Sequence, residues 1–170
     1  MILTGPEIEK QVQNKRILIE PFDKNNITSN SYDISISDKI VHYTEAILDP
    51  KKKNQFTEET IPQSGYELSP NKIYLVGTKE KIGSNFYVPI CKGRSSTARL
   101  GMFVHITADI IDLGSFANWT LQIKVVEPMK IYPFLKLAQA TFWKPIGTKS
   151  FYNGKYQGSI GPIPSKLYLD

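Results

Sequence analysis

The residue types best suited to chemistry lie close together in one stretch, Gly93-Arg94-Ser95-Ser96-Thr97-Ala98-Arg99-Leu100-Gly101. The glycines at its two ends predict a turn between strands. Its hydroxyls and backbone N–H groups can donate to phosphate oxygens, and an arginine adds a bidentate, charge-assisted contact. The stretch therefore indicates an oxyanion site, although a capped turn with surface arginines fits the same residues.

A single carboxylate stands at a second predicted turn, Ile111-Asp112-Leu113-Gly114. An aspartate held on such a loop is able to orient a water molecule for attack. It is also the residue type that forms an Asx-turn, and the pattern taken alone favours that structural role.

The clearest periodicity begins directly after this turn. Trp119, Leu121, Ile123 and Val125 alternate with more polar positions that include Gln122. Such alternation predicts a strand with one apolar face, because successive side chains point to opposite sides of a sheet. Gln122 is therefore expected on the face opposite Trp119.

The remaining elements must hold these turns in place. Thr4-Gly5-Pro6-Glu7 reads as a capping box that starts a short helix over about residues 5–14. After it the sequence predicts short strands separated by Gly, Pro, Asn and Ser clusters, which favours a sandwich, jelly roll or barrel. The predicted strands are Ile17–Ile19, Tyr32–Ile36, Ile73–Val76, Phe86–Ile90, Met102–Ile106, Trp119–Val126 and Leu137–Trp143.

The end of the chain has a different composition. From residue 147 onward it holds Gly154, Gly158, Gly161 and two prolines, with aromatic, cationic and amide side chains among them. Such a segment does not form a core element. We therefore expect a barrel domain over residues 1–146 and a flexible segment over 147–170, which is either a frayed tail or a lid over a ligand.

Composition limits the class of protein. The 170 residues carry 21 Lys and Arg against 16 Asp and Glu, a charge of +5 that suits an anionic partner. Basic and aromatic residues are not interleaved as in a nucleic-acid groove. One Cys and two His exclude a disulfide framework and a Cys/His zinc site. No apolar run reaches the roughly 18 residues of a membrane span, so we expect a cytoplasmic protein without a membrane partner.

Several motifs, in order along nearly the whole chain, resemble the dCTP deaminase branch of the trimeric dUTPase superfamily. The resemblance implies a homotrimer of all-β, distorted jelly-roll barrels with a short N-terminal helix and active sites at subunit interfaces. It implies hydrolysis of dUTP or dCTP with Mg²⁺ held by the substrate phosphates rather than by protein ligands. The motifs are Asn30-Ser31-Tyr32-Asp33, the stretch from Gly93 to Gly101, His105-Ile106-Thr107-Ala108, Ile111-Asp112, Trp119-Thr120-Leu121 and Gly154-Lys155-Tyr156-Gln157-Gly158.

The resemblance assigns roles to the phosphate-binding positions. Arg94, Ser95, Ser96 and Arg99 match residues that hold the triphosphate, and Ser95 also matches a residue near the reacting base in deaminases. Gln139 matches a further triphosphate contact.

It also assigns roles around the base. The stretch that contains Asp109 and Ile110 resembles a hairpin that reads the pyrimidine largely through backbone groups, and Asp112 matches the carboxylate that positions the attacking water. Lys155-Tyr156-Gln157 matches the segment that closes over the nucleotide.

One departure from the family pattern bears on the reaction. Deaminating members carry Glu directly after the Thr-Leu of this strand, where the present chain has Gln122. Deamination requires a group that moves protons, and a carboxamide has no titratable proton near neutral pH. Loss of proton transfer costs about 100- to 10,000-fold in rate. Lys92, Asp109 and Ser115 are further departures from the deaminase pattern.

The sequence supports three interpretations of the function, in order of preference. The first is a Mg²⁺-dependent dUTP diphosphatase that forms dUMP and pyrophosphate, with Asp112, Gln122 and Ser95 at the reacting centre. The alternative is a dCTP deaminase or a bifunctional dCTP deaminase and dUTPase. The third is a catalytically silent nucleotide-binding protein, which the presence of Asp112 and of the tail motif disfavours.

Overall fold

The computed structural model describes residues 1–170, and nearly all of its regular structure is β. Helix α1 spans Gly5–Gln13, helix α2 spans Ser95–Arg99, and two single 3₁₀ turns span Lys24–Asn26 and Leu167–Leu169. The strands are β1 (Leu18–Glu20), β2 (Tyr32–Tyr43), β3 (Phe56–Thr60), β4 (Tyr66–Leu68), β5 (Tyr74–Gly83), β6 (Val88–Gly93), β7 (Met102–Phe103), β8 (Phe116–Val125), β9 (Met129–Ile131) and β10 (Lys136–Trp143).

Eight strands form one antiparallel sheet that curls into a nearly closed barrel. The main path runs β6-β10-β2-β5-β8-β7, with β1 attached to β5 and β3 attached to β2. Strands β4 and β9 form a separate pair. The expected all-β, jelly-roll architecture is confirmed, and the fold places the two ends of β8 beside the two predicted turns.

The core fills the barrel with side chains from alternate strand positions. On β8, Ala117, Trp119, Leu121, Ile123 and Val125 are buried, and the residues between them are half-buried or exposed. The prediction that Gln122 and Trp119 lie on opposite faces of this strand is therefore confirmed. Across the barrel the β8 residues pack with apolar side chains from the other strands, including Tyr32, Ile34, Ile36, Val76, Ile82 and Phe142.

Several local expectations are wrong, each for an identifiable reason. Strand β3 was not expected because all five of its residues are exposed and it pairs only with β2. The predicted strand through Ile106 ends at Phe103, where the chain leaves the sheet. The capping box does not form: Thr4 is the N-cap of α1 by its backbone, but its side chain makes no capping hydrogen bond, and Glu7 instead accepts one from Gln11.

The pairing of strand β5 with β8 is irregular in the middle of β5. The pairing register with β8 shifts between Gly77 and Lys81, which marks an irregular segment. Within it Glu80 is 2% exposed and accepts a hydrogen bond from the Ser35 N–H at 3.1 Å. Burial raises the pKa of this carboxyl above its usual value.

No helix in the structure combines the length and the apolar character required to span a bilayer.

Candidate active site

The segment Gly93–Gly101, here named the phosphate turn, connects β6 to β7. Its central residues form the short helix α2, in which Ser95, Ser96 and Arg99 are exposed while Thr97 is buried. The N–H groups in the first turn of a helix have no intrahelical acceptor, so they remain available to a ligand. The exposed hydroxyls, the free amides and the Arg99 guanidinium, which forms no ion pair within the chain, are suited to an anion.

Two other predicted phosphate contacts support this turn from behind. Arg94 forms an ion pair with Asp33 at 3.1 Å and donates to the Lys136 carbonyl at 3.1 Å. Gln139 donates to the Gly93 carbonyl at 3.2 Å and accepts a hydrogen bond from the Ser31 hydroxyl at 2.7 Å. These contacts fix the beginning of the phosphate turn to β10 and to β2 with the residue before it.

The segment Val104–Leu113, here named the base loop, lies beside β6. The Cys91 N–H donates to the Asp109 carbonyl at 2.8 Å, and the Ile111 N–H donates to the Pro89 carbonyl at 2.9 Å. Asp112 begins a tight turn closed by a hydrogen bond from the Ser115 N–H to its carbonyl. The Asp112 side chain is exposed and makes no hydrogen bond within the chain, so the Asx-turn is not formed.

Side chains of the base loop also make local contacts. Lys92 on β6 forms an ion pair with Asp109, which lowers the pKa of that carboxyl chiefly through their hydrogen bond. One ring nitrogen of His105 contacts the Ala108 carbonyl. Burial lowers the pKa of His105, so its imidazole is neutral near pH 7.

A cavity of about 540 Å³, here named the β8 cavity, opens between β8, the base loop and the C-terminal segment. Its size falls in the range of small-molecule sites. Gln122 lines it and donates to the Thr120 carbonyl at 2.6 Å, which leaves the carboxamide oxygen free as an acceptor. Two lining residues, Trp119 and His105, hold a buried ring nitrogen that has no partner within the chain. The lining of the cavity is therefore largely apolar, and the Gln122 oxygen is a free acceptor within it.

Asp112 lines a second, more open cavity of about 400 Å³ on the other side of the base loop. Most of its remaining wall comes from residues 145–152, where the chain leaves the barrel. Lys149 fixes this part of the chain, since its ammonium lies 4.6 Å from the Phe86 ring centre and donates to the Asn85 carbonyl.

The C-terminal segment passes over the barrel and covers the β8 cavity. The Gln157 side chain accepts from the Phe116 N–H at 2.9 Å and donates to the Gly114 carbonyl at 2.8 Å. The Ile163 N–H donates to the Thr120 hydroxyl at 3.0 Å. At Gly77 the approach is so close that an added Cβ would lie 2.9 Å from backbone atoms of the segment.

The other two residues of the predicted tail motif contact the segment itself. Lys155 forms an ion pair with Asp170, and the Tyr156 hydroxyl accepts from the Lys166 N–H at 2.8 Å. The Lys166 ammonium also lies 5.5 Å from the Tyr156 ring centre. Tyr156 lines the β8 cavity, so the segment forms one of its walls.

Within one chain the predicted residues fall into three separate places. Gln122 and Tyr156 line the β8 cavity, Asp112 and Ile110 line the second cavity, and Ser95 lines neither. Sequence reasoning did not identify Tyr43, Ile73 or Ile163 as cavity residues, because they come from distant segments and carry no chemical signature. The Pro residues that flank Ile163 were the only local sign of an extended, docked backbone.

The chain belongs to the dCTP deaminase-like family, which matches residues 2–145. One relative is a protein of Clostridium beijerinckii named dCTP deaminase, dUMP-forming, 42% identical over 171 residues that cover 100% of this chain and 98% of the relative. A protein of Leptospira biflexa with the same name is also 42% identical, over the same shares of the two chains.

A solved structure shares the fold. The 2'-deoxycytidine 5'-triphosphate deaminase from Agrobacterium tumefaciens superposes with a TM-score of 0.67 at 20% identity, over 83% of this chain and 47% of that one. The present chain therefore spans about half the length of that protein. The predicted membership of the dCTP deaminase branch and the dUTPase-like fold are confirmed.

Proposed function

We propose that this protein hydrolyses deoxypyrimidine triphosphates to dUMP, with dCTP as its starting substrate. The observation that carries the proposal is 42% identity over the whole chain to relatives named dCTP deaminase, dUMP-forming. Two hydrolytic steps account for the product: one water displaces the cytosine amine as ammonia, and a second releases pyrophosphate. The comparisons support this alternative better than the dUTP diphosphatase interpretation that the sequence favoured.

Gln122 favours a second candidate, a dUTP diphosphatase that performs only the second step. Its side chain faces the β8 cavity, and its amide nitrogen is held by the Thr120 carbonyl. The remaining oxygen accepts a hydrogen bond but carries no proton to transfer. Deamination in this site needs another proton carrier, whereas release of pyrophosphate from dUTP does not use this position.

The phosphate chemistry requires a different set of groups. Ser95, Ser96 and Arg99 present donors to the triphosphate, and Asp112 orients the attacking water. Mg²⁺ would be held by the phosphate oxygens of the substrate and by water rather than by side chains of this chain, and it would supply neutralisation of the charge on the leaving pyrophosphate. The exposed Asp112, which has no ion-pair partner in the chain, remains free to orient water.

The separation of these groups supports a homotrimer with sites between subunits. In one chain the phosphate turn lines neither cavity, so its donors do not reach a nucleotide whose base occupies the β8 cavity. A neighbouring copy supplies the missing phosphate turn. Light scattering at micromolar concentration is expected to give three times the mass of one chain, and a fully active monomer would contradict the shared site.

The test of the function separates base chemistry from phosphate chemistry. Purified protein is incubated with Mg²⁺ and with dCTP, dUTP or dTTP, while ammonia and pyrophosphate are measured independently. Ammonia and dUMP from dCTP support the first candidate. Pyrophosphate from dUTP without ammonia from dCTP supports the second, and no product from any nucleotide contradicts both.

Gln122→Glu is the matched variant, because Gln and Glu have nearly the same size and differ in charge and proton capacity. If the wild type releases no ammonia, the variant is expected to gain slow deamination, since a partly buried carboxyl has the raised pKa that proton transfer requires. Rapid deamination by the wild type would show that another group carries the proton.

A further inference from the structure

We propose that the Lys92–Asp109 ion pair is a positioning element that holds the base loop in the conformation that recognises the nucleotide. The inference rests on the proposed function only for its kinetic readout.

The base loop has few other connections to the barrel. Its backbone bonds to β6 through two hydrogen bonds, Cys91 N–H to the Asp109 carbonyl and Ile111 N–H to the Pro89 carbonyl. Ile106, Thr107, Ala108 and Ile110 are exposed, so apolar burial does little to fix this part of the loop. The ion pair adds a side-chain contact at the same residue, Asp109, whose carbonyl already accepts one of those bonds.

Asp109 lies between the two cavities and lines neither. Ala108 and Ile111 belong to the wall of the β8 cavity, whereas Ile110 and Asp112 belong to the wall of the second cavity. The Asp109 carboxylate instead points to Lys92 on the outside of β6. A shift of Asp109 therefore moves both walls at once, including the residue proposed to orient water.

Lys92 connects this contact to the phosphate turn. It directly precedes Gly93, whose carbonyl is held by Gln139, and Arg94, whose guanidinium is held by Asp33. The partner of Asp109 thus lies on β6 directly before two residues that are hydrogen-bonded or ion-paired to β10 and β2. The ion pair therefore connects the base loop to the end of β6. The phosphate turn begins at the same strand end, which also sets the position of the phosphate donors.

The exposure of the pair separates this role from one in global stability. Exposed ion pairs contribute little to the free energy of unfolding, so loss of Lys92–Asp109 is not expected to lower the melting temperature measurably. A matched control exists in Lys52–Glu45, whose side chains are 54% and 25% exposed against 56% and 34% for Lys92 and Asp109. Lys52 and Glu45 lie in the β2–β3 connection, and neither residue lines one of the two cavities.

The experiment compares Lys92→Asp, Asp109→Lys, the double charge swap and the control Lys52→Asp. Amide hydrogen exchange measures the opening of the loop directly, because the Cys91 and Ile111 N–H groups donate the two hydrogen bonds that join the base loop to β6. Each single variant is expected to speed exchange at these amides and to raise KM for the nucleotide about three- to ten-fold, with kcat changed less. The double swap is expected to restore both, and Lys52→Asp to change neither.

Unchanged exchange in both single variants would overturn the proposal, as would faster exchange with an unaltered KM. Failure of the double swap to restore either readout would also overturn it, because the effect would then belong to the individual side chains. Failure of the proposed function has a different signature, namely no product from the wild type, and it leaves the exchange measurement intact.

Discussion

The β8 cavity and the phosphate turn differ in how much of a binding site one chain provides. The cavity has walls from β8, the base loop and the C-terminal segment, and Gln122 presents a free carboxamide oxygen to it. The phosphate turn is an open projection on which Ser95, Ser96 and Arg99 are exposed to solvent. Under the proposed homotrimer, a single chain would supply the cavity for the base, and its phosphate turn would contribute to the site of a neighbouring copy.

The two regions are also built by different forces. The cavity depends on alternation along β8 and on a docked tail, so its shape follows from apolar packing and close backbone approach. The phosphate turn depends on polar contacts. Hydrogen bonds of Arg94 and Gln139 hold its first residues, while its exposed side chains have no partner within the chain. Substitutions in the two regions should therefore separate effects on turnover, on affinity and on stability.

The largest effect is expected from Asp112→Asn, which lies in the second cavity, outside both regions. The variant keeps the size of the side chain but removes the carboxylate proposed to orient water, while all phosphate donors remain. Turnover should fall about 100-fold or more with nearly unchanged nucleotide affinity. Pyrophosphate release and calorimetric binding of a non-hydrolysable nucleotide measure the two quantities. Glu58→Gln on the exposed strand β3 is the control, and an equal loss of binding and turnover would show a structural role for Asp112.

Two arginines of the phosphate turn provide the next comparison. Arg99→Ala removes an unpaired, exposed guanidinium and is expected to weaken triphosphate affinity about 10- to 100-fold, or ~1.5–3 kcal/mol, without lowering the melting temperature. Arg94→Ala leaves the mostly buried Asp33 without its partner. It is expected to lower the free energy of unfolding by about 1–2 kcal/mol in addition to weakening binding.

Calorimetry and urea unfolding of both variants measure this difference. Equal stabilities for the two variants would show that Arg94 does not anchor the turn. Normal binding of the triphosphate by Arg99→Ala would remove Arg99 from the phosphate site.

These two arginines also show what sequence can predict. Residue types and spacing located the phosphate turn and the strand face of Gln122, because hydroxyls, guanidinium groups and period-2 alternation are local signals. They did not separate Arg94, which is held by Asp33 61 positions away along the chain, from the free Arg99. Likewise, Tyr43 and Ile163 meet in one cavity only through tertiary packing, which no local pattern records.

A smaller effect is expected from Gly77→Ala, at the point where the C-terminal segment packs against β5. The nearest atoms to an added Cβ at Gly77 all belong to Gly161 and Pro162, so Gly77→Ala displaces the tail rather than the barrel. KM for the nucleotide should rise about three- to ten-fold with an unchanged melting temperature, since the lid closes less well. Truncation after Asn153 removes the same contact.

The truncated chain supplies the control for this prediction. In it Gly77→Ala should have no further effect on KM, because the atoms that it displaces are gone. An added effect of Gly77→Ala in the truncated chain would locate the defect in the barrel. Full activity of the truncated chain itself would show that residues 154–170 are not a lid.

The smallest effect is expected from Glu80, in the irregular segment of β5 that supports the cavity. Its pKa is raised by burial above the usual value of 4.5, so the ionised form destabilises the folded protein at neutral pH. As the pH falls through the folded-state pKa, the native carboxyl takes up a proton and this cost declines, and it is gone below pH 4.5, where the folded and unfolded states are both protonated. Glu80→Gln is neutral throughout and lacks this dependence. The free energy of unfolding of the wild type should therefore rise relative to that of the variant as the pH falls from neutral to below 4.5. Urea unfolding across this range, with Glu58→Gln as the exposed control, measures the gain, and a difference that stays constant with pH would mean that Glu80 does not titrate in the folded barrel.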